Sequence, residues 1–109
     1  MIGIDIVDVS RIGRLKEKYG DKFLVKVFTE GEIRYTAGKK KSDESLAGRF
    51  AAKEAFMKAW GRRLPWKDIE IHSGERGRPF ILFEGKRFDG VSISHERNYA
   101  VSAVLIERD

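Results

Sequence analysis

"AGRFAAKEAFMKAWG", residues 47–61, has the composition of a helix but does not divide into one wet and one dry side. At about 100° per residue, Phe50, Phe56, Met57 and Trp60 join Leu46 in one broad bulky sector, and Arg49 and Lys53 fall in its middle. The remaining sector is small: Ala47, Gly48, Ala51, Ala52, Ala55 and Ala59, with Glu54 and Lys58 one turn apart beside it. Ser42 or Asp43 can cap this helix, which runs to about Arg62, with Gly61 as its stop and Pro65 beyond.

On either side of this helix the pattern changes. After Pro65 the period becomes two, in "DIEIHS", "PFILFE", "VSISHE" and "YAVSAVLIE", with turn-like "GERGR", "EGKRFDG" and "ERN" between them, which predicts an antiparallel meander. Before it, "IGIDIV" alternates: Ile2, Ile4 and Ile6 face one side of a strand, and Gly3, Asp5 and Val7 the other. "VSRIGRLKEKYG" then predicts a short basic amphipathic helix stopped by Gly20. Thr29 and Glu32 have capping-box spacing ahead of another short helix, "EGEIRYTA", and "GKKKSD" reads as an exposed loop. A strand, then helices, then a run of strands predicts an α+β fold, an antiparallel-rich sheet packed against one long helix and short helices, as a single domain over residues 1–109.

A chain of 109 residues, 41% hydrophobic and 36% charged, belongs with folded globular proteins and has room for one modest core, which favours association with copies of itself. It lacks cysteine, which excludes disulfides and thiolate metal sites. No apolar run approaches the roughly 20 residues of a membrane span, and no secretory signal pattern opens the sequence, so a cytoplasmic location without membrane association is expected. A net charge of +5 points to an acidic partner.

The misplaced charges are the candidate functional residues. Glu54 and Lys58 are either an exposed ion pair four residues apart or a charged pair beside small side chains that let a ligand approach. Arg49 and Lys53, in the middle of the bulky sector, are expected to snorkel, their stems covering apolar surface while the heads reach water. Asp5, in a strand of isoleucine and valine, lies on an exposed strand face, forms a salt bridge, or joins Glu54 on Mg²⁺, which takes few carboxylates plus waters and phosphate oxygens. His95 ends a strand, where it can face a ligand across the sheet edge. No phosphate loop, dinucleotide fingerprint or H-E-x-x-H zinc pair is present.

"GIDIVDVSRI", "LAGRFAAKEAFMKAWG", "DIEI" and "VSISHERNYAVSAVLIE", in this order and spacing over nearly the whole chain, resemble the bacterial holo-acyl-carrier-protein synthases, which are 4′-phosphopantetheinyl transferases. The resemblance implies Mg²⁺-dependent transfer of 4′-phosphopantetheine from coenzyme A to a serine of apo-acyl carrier protein, with release of adenosine 3′,5′-bisphosphate, in fatty acid biosynthesis. It implies Asp5 and Glu54 as metal ligands, Glu54 and Lys58 as catalytic groups, and His95 near the coenzyme. Arg49 and, more weakly, Lys53 become candidates for phosphate contact, and Gly61 keeps a coenzyme-binding role. Acyl carrier proteins are acidic, so Arg11, Arg14, Lys16 and Lys18 would seat such a partner. The family forms homotrimers with sites between subunits.

The chain also departs from the family pattern. A glycine-rich "F-G-T-G" stretch usually follows the long helix, whereas "AWGRRLPW" keeps one glycine and is shortened, so Arg62 and Arg63 either supply charge in place of lost backbone contacts or lie on the surface. "FEGKRFDG" is also short, and a helix often found there is expected to be missing. A nucleic-acid module would use "GKKK" and "GRR" but leaves Asp5 and Glu54 unexplained, so no nucleic-acid partner is expected. A trimeric domain without catalytic activity is the third reading.

Overall fold

The structure, a computed structural model, describes residues 1–107. In chain order these form strand β1 (Ile2–Asp8), helices α1 (Val9–Tyr19), α2 (Asp21–Val27), α3 (Glu30–Ala37) and α4 (Ser42–Trp60), then strands β2 (Ile69–Ser73), β3 (Pro79–Phe83), β4 (Lys86–Phe88), β5 (Val91–His95) and β6 (Tyr99–Leu105). The fold is α+β, as expected. The strands divide differently from a single meander: β1-β6-β5 make one antiparallel sheet and β2-β3-β4 another. The meander breaks at Gly90, whose backbone lies so close to β6 that an added Cβ would sit 2.3 Å from the Leu105 carbonyl oxygen. There the chain leaves the second sheet and enters the first.

Helix α4 fails to divide because both sheets pack on it. Its alanine sector is filled by the first sheet rather than left open: Ala47, Ala51, Ala52, Ala55 and Ala59 are all 0% exposed. The approach is closest at Gly3 of β1, where a Cβ would stand 1.9 Å from the Ala55 carbonyl oxygen. Only a strand with glycine at the contact and a helix faced with alanine can come this near. That contact decides which face of β1 goes inward. Gly3 and Val7 are buried and Asp5 is half-buried, whereas Ile2, Ile4 and Ile6 stay 74%, 61% and 65% exposed. The bulky sector of α4 meets the second sheet, where the Phe56 ring is edge-on to Phe83 and Phe88, each 5.3 Å away. Removing a buried ring of this kind costs about 3–5 kcal/mol.

Local signals set the helix ends. The Asp8 carboxylate accepts from Ser10 N at 2.9 Å and starts α1. Thr29 and Glu32 form the anticipated capping box at α3. Gly61 ends α4 in the left-handed region, with φ 100°. Neither Ser42 nor Asp43 caps α4; Lys41 holds the cap position and makes no side-chain cap bond. Helix α2 was not anticipated, because its buried pair, Phe23 and Val27, is too short a period to register in sequence. In the shortened "FEGKRFDG", residues 86–88 pair with β3 as a strand.

Candidate active site

Strand β1 carries Asp5 beside the C-terminal half of α4, and four charged side chains gather there. Lys58 Nζ donates to Asp5 Oδ1 at 3.1 Å and to the Ile4 carbonyl at 3.0 Å. Glu54 Oε2 accepts from Arg63 Nη1 at 2.9 Å. The pair expected within the helix, Glu54 with Lys58, is therefore replaced by two pairs that cross between elements. Burial pushes the Asp5 carboxyl above its usual range and the nearby Glu54 charge adds to this, against the Lys58 hydrogen bond and charge and the more distant Arg11. An open groove of about 390 Å³ runs past Glu54, Met57, Lys58, Gly61, Arg62 and Arg63.

A metal can be tested against this donor set. Among the described residues no group of three or more His, Asp or Glu side chains is placed to enclose an ion. Mg²⁺ does not need one: it takes one or two carboxylates and completes its shell with waters and phosphate oxygens. Asp5 and Glu54 offer two hard oxygen donors, with Glu54 close enough for its charge to act on Asp5, and each is already paired with a cation. The residues fit the ion.

The other half of α4 borders a second cavity, of about 360 Å³, whose lining includes Tyr35, Lys39, Lys41, Arg49, His72 and His95. Arg49 forms part of it and is only 7% exposed. Its guanidinium lies 4.4 Å over the Tyr35 ring and donates to Ser45 Oγ at 3.2 Å, while its buried Nε has no partner. Among the described residues no carboxylate lies within ion-pair distance of it. Burial pulls the Arg49 guanidinium below its ordinary range, opposed by the Tyr35 and Glu32 charges. His95, at the end of β5, meets the mostly buried Glu44 through Nδ1 at 3.0 Å, which leaves Nε2 for the cavity. Gly48 lets β5 lie this close, since a Cβ there would stand 2.9 Å from Ile93.

Lys53 requires a correction. The sequence places it with Arg49, as a snorkelling cation or a phosphate contact. Its side chain and that of Glu32 are both 0% exposed, with Nζ 2.7 Å from Glu32 Oε1. The ammonium also donates to the carbonyls of Val27 at 2.9 Å and Trp66 at 3.1 Å, so its three donors are spent inside the protein. No ligand reaches it.

On α1, Arg11, Arg14 and Lys18 are exposed, with Arg11 5.7 Å over the Phe50 ring. Lys16 is partly engaged by Asp43 at 2.7 Å. Residues that sequence reasoning missed are Tyr35, Glu44, His72 and the Lys39–Lys41 run. The run was visible as "GKKK", and only its position at the mouth of the cavity gives it a place in the site.

The 4′-phosphopantetheinyl transferase superfamily model of the holo-acyl-carrier-protein synthase type matches residues 1–104. The chain belongs to this family. The holo-acyl-carrier-protein synthase of Thermodesulfovibrio yellowstonii is 47% identical, over 96% of both chains. That of Halothermothrix orenii is 44% identical over 97% of this chain and 95% of its own. Solved structures agree: the Helicobacter pylori synthase in complex with coenzyme A superposes with a TM-score of 0.88 at 30% identity, covering 98% of this chain and 100% of that one. The Bacillus anthracis synthase, in complex with CoA (3′,5′-ADP), gives 0.81 at 39% identity over 94% and 91%. A member of this family is a phosphopantetheinyl transferase, and among the described residues no helix is long and apolar enough to cross a membrane.

Proposed function

We propose that the protein transfers 4′-phosphopantetheine from coenzyme A to a serine of an apo-acyl carrier protein, with Mg²⁺, in the cytoplasm and in service of fatty acid synthesis. The observation that carries this reading is that Asp5 of β1, bonded to Lys58 and within reach of the Glu54 charge, adjoins the groove that Glu54 and Lys58 line. An ion held by the two carboxylates would neutralise charge on the coenzyme's pyrophosphate. The serine oxygen bonds to the β-phosphorus as the bond from that phosphorus to the bridging oxygen breaks. Glu54 takes the serine proton through a water, and the Lys58 ammonium stabilises or protonates the departing oxygen of adenosine 3′,5′-bisphosphate. Arg49, buried with no ion-pair partner among the described residues and sharing a cavity with lysines and His95, suits another phosphate of the coenzyme.

Arg49 and Lys58 are nine positions apart on one helix, which puts them about half a turn around it and about 13 Å along it. One coenzyme cannot easily wrap α4 to reach both, so the two half-sites of one active site belong to neighbouring copies. The outward face of the first sheet offers the contact. Ile2, Ile4 and Ile6 stand beside Leu105, Ala103 and Val101 in register, and an apolar face of this kind rarely remains bare. A homotrimer closing on this face fits both observations. The exposed Arg11, Arg14 and Lys18, with Lys16, would receive the acidic carrier, and Arg11 is near enough for its charge to act on Asp5.

Incubating the protein with coenzyme A, Mg²⁺ and apo-acyl carrier protein, and then weighing the carrier by mass spectrometry, tests the reading. A phosphopantetheine adduct is expected with the natural protein, and less than about one hundredth of that rate with Glu54→Gln. Full activity of Glu54→Gln would overturn the assignment of Glu54.

A further inference from the structure

Arg63 has no task in the reaction above, yet it holds one of its central groups. The turn at Gly61 brings Arg63 back beside Glu54, and its Nη1 bonds Oε2 at 2.9 Å. Its guanidinium also lies 5.1 Å over the Trp66 ring. This contact exists in the segment where the chain departs from the family's glycine-rich pattern. The result is a balanced quartet: Asp5 with Lys58, and Glu54 with Arg63.

A divalent ion on these two carboxylates competes with Lys58 and Arg63 for the same negative charge, so it favours the departure of one of them. Lys58 is also anchored by the Ile4 carbonyl at 3.0 Å. Arg63 is the looser of the two: among the described residues it makes no comparable backbone bond, and its side chain is 65% exposed against 54% for Lys58. It stands at the rim of the groove past Lys58 and Gly61. We propose that Arg63 is a gate on Glu54: it occupies the carboxylate while the metal is absent, and on metal binding it swings into the groove to grip the phosphates of coenzyme A. A planar guanidinium suits both partners, since it forks onto carboxylate and phosphate alike. The gate rests on the reading of Asp5 and Glu54 as metal ligands.

The two ideas are separated by titrating Mn²⁺ into the natural protein, Arg63→Ala and Glu54→Gln, with free Mn²⁺ followed by electron paramagnetic resonance. Without coenzyme A, Arg63→Ala should bind Mn²⁺ about two- to fivefold more tightly than the natural protein, the range expected for releasing one exposed ion pair. With Mn²⁺ present, it should bind coenzyme A more weakly. Equal Mn²⁺ affinity in the natural protein and Arg63→Ala, with loss in Glu54→Gln, overturns the gate and leaves the metal site standing. Mn²⁺ binding that ignores Glu54→Gln overturns the metal site and the gate together. Failure of Arg63→Ala to bind Mn²⁺ without coenzyme A also overturns the gate.

Discussion

Replacing Lys53 by methionine removes one ammonium and leaves the Glu32 carboxylate 0% exposed and without its counter-ion. Methionine fills nearly the same volume, so cavity formation contributes little and the loss is electrostatic. Removing one partner of a buried pair costs about 3–5 kcal/mol, since the survivor keeps its desolvation penalty. Two features place this pair within that range. The ammonium is bonded at 2.9 and 3.1 Å to the carbonyls of Val27 and Trp66, which also lose a donor. Glu32 in turn accepts from Thr29 N at 2.8 Å and Ile71 N at 2.7 Å, so it cannot rotate out to water without breaking the α3 cap and its tie to β2. With a urea slope of about 1.5 kcal/mol/M for a chain this small, the unfolding midpoint should fall by about 2–3 M.

The assay is urea unfolding at fixed protein concentration, read by tryptophan fluorescence. Whole domains are stable by only about 5–15 kcal/mol, so the single variant can fail to fold. The double variant Lys53→Met/Glu32→Gln keeps the test open. It removes both charges and leaves an amide oxygen for Ile71 N, giving up one acceptor at Thr29, so it should recover about 2 kcal/mol or more of the loss. A single variant within about 1 kcal/mol of the natural protein, or a double variant no better than the single, would refute the reasoning.

Two further substitutions probe the site and its setting. Burial raises the Asp5 carboxyl above its ordinary value, so its folding contribution is most favourable below that value and is lost as pH rises through the folded pKa. Asp5→Asn should therefore raise the melting temperature of the metal-free protein at pH 7, with the gain shrinking towards pH 4, and abolish transfer; a lower melting temperature at pH 7 would contradict the sign. Ile4→Glu places a carboxylate on the outward sheet face, where the residue is 61% exposed. Light scattering should then report monomers and the transfer rate should fall by at least about tenfold, as expected if each site draws on two copies; an unchanged mass and rate would remove that face from the assembly.

Much of the local structure could be read from residue type and spacing. Thr29 and Glu32 announced the α3 cap, Gly61 announced the end of α4, and period two announced the later strands. What stayed hidden depended on contacts between distant elements. The alternation of β1 defines two faces but does not say which is buried, and the bulkier one points outward because Gly3 has to meet the Ala55 backbone. Glu54 and Lys58 have ideal spacing for each other, but each found a partner on another element, Arg63 and Asp5. Such pairings depend on where β1 and the turn after Gly61 run, and spacing along one helix carries no information about that.

Arg49 and Lys53 make the same point at the level of function. One turn apart in the same apolar sector, they are equivalent in sequence, and both are buried. The capping box holds Glu32 in a fixed position facing Lys53, so that charge is neutralised inside the fold and becomes part of its architecture. Among the described residues nothing of opposite charge comes within ion-pair distance of Arg49, whose surroundings are a tyrosine ring, a serine hydroxyl and a lysine-lined cavity. A guanidinium so enclosed is costly to leave unpaired, and the cost is relieved when an anion enters. Burial alone therefore did not separate the structural cation from the one proposed to bind phosphate. The separation came from whether the fold supplies the counter-ion, which makes an uncompensated buried charge beside an open cavity the stronger sign of a phosphate site.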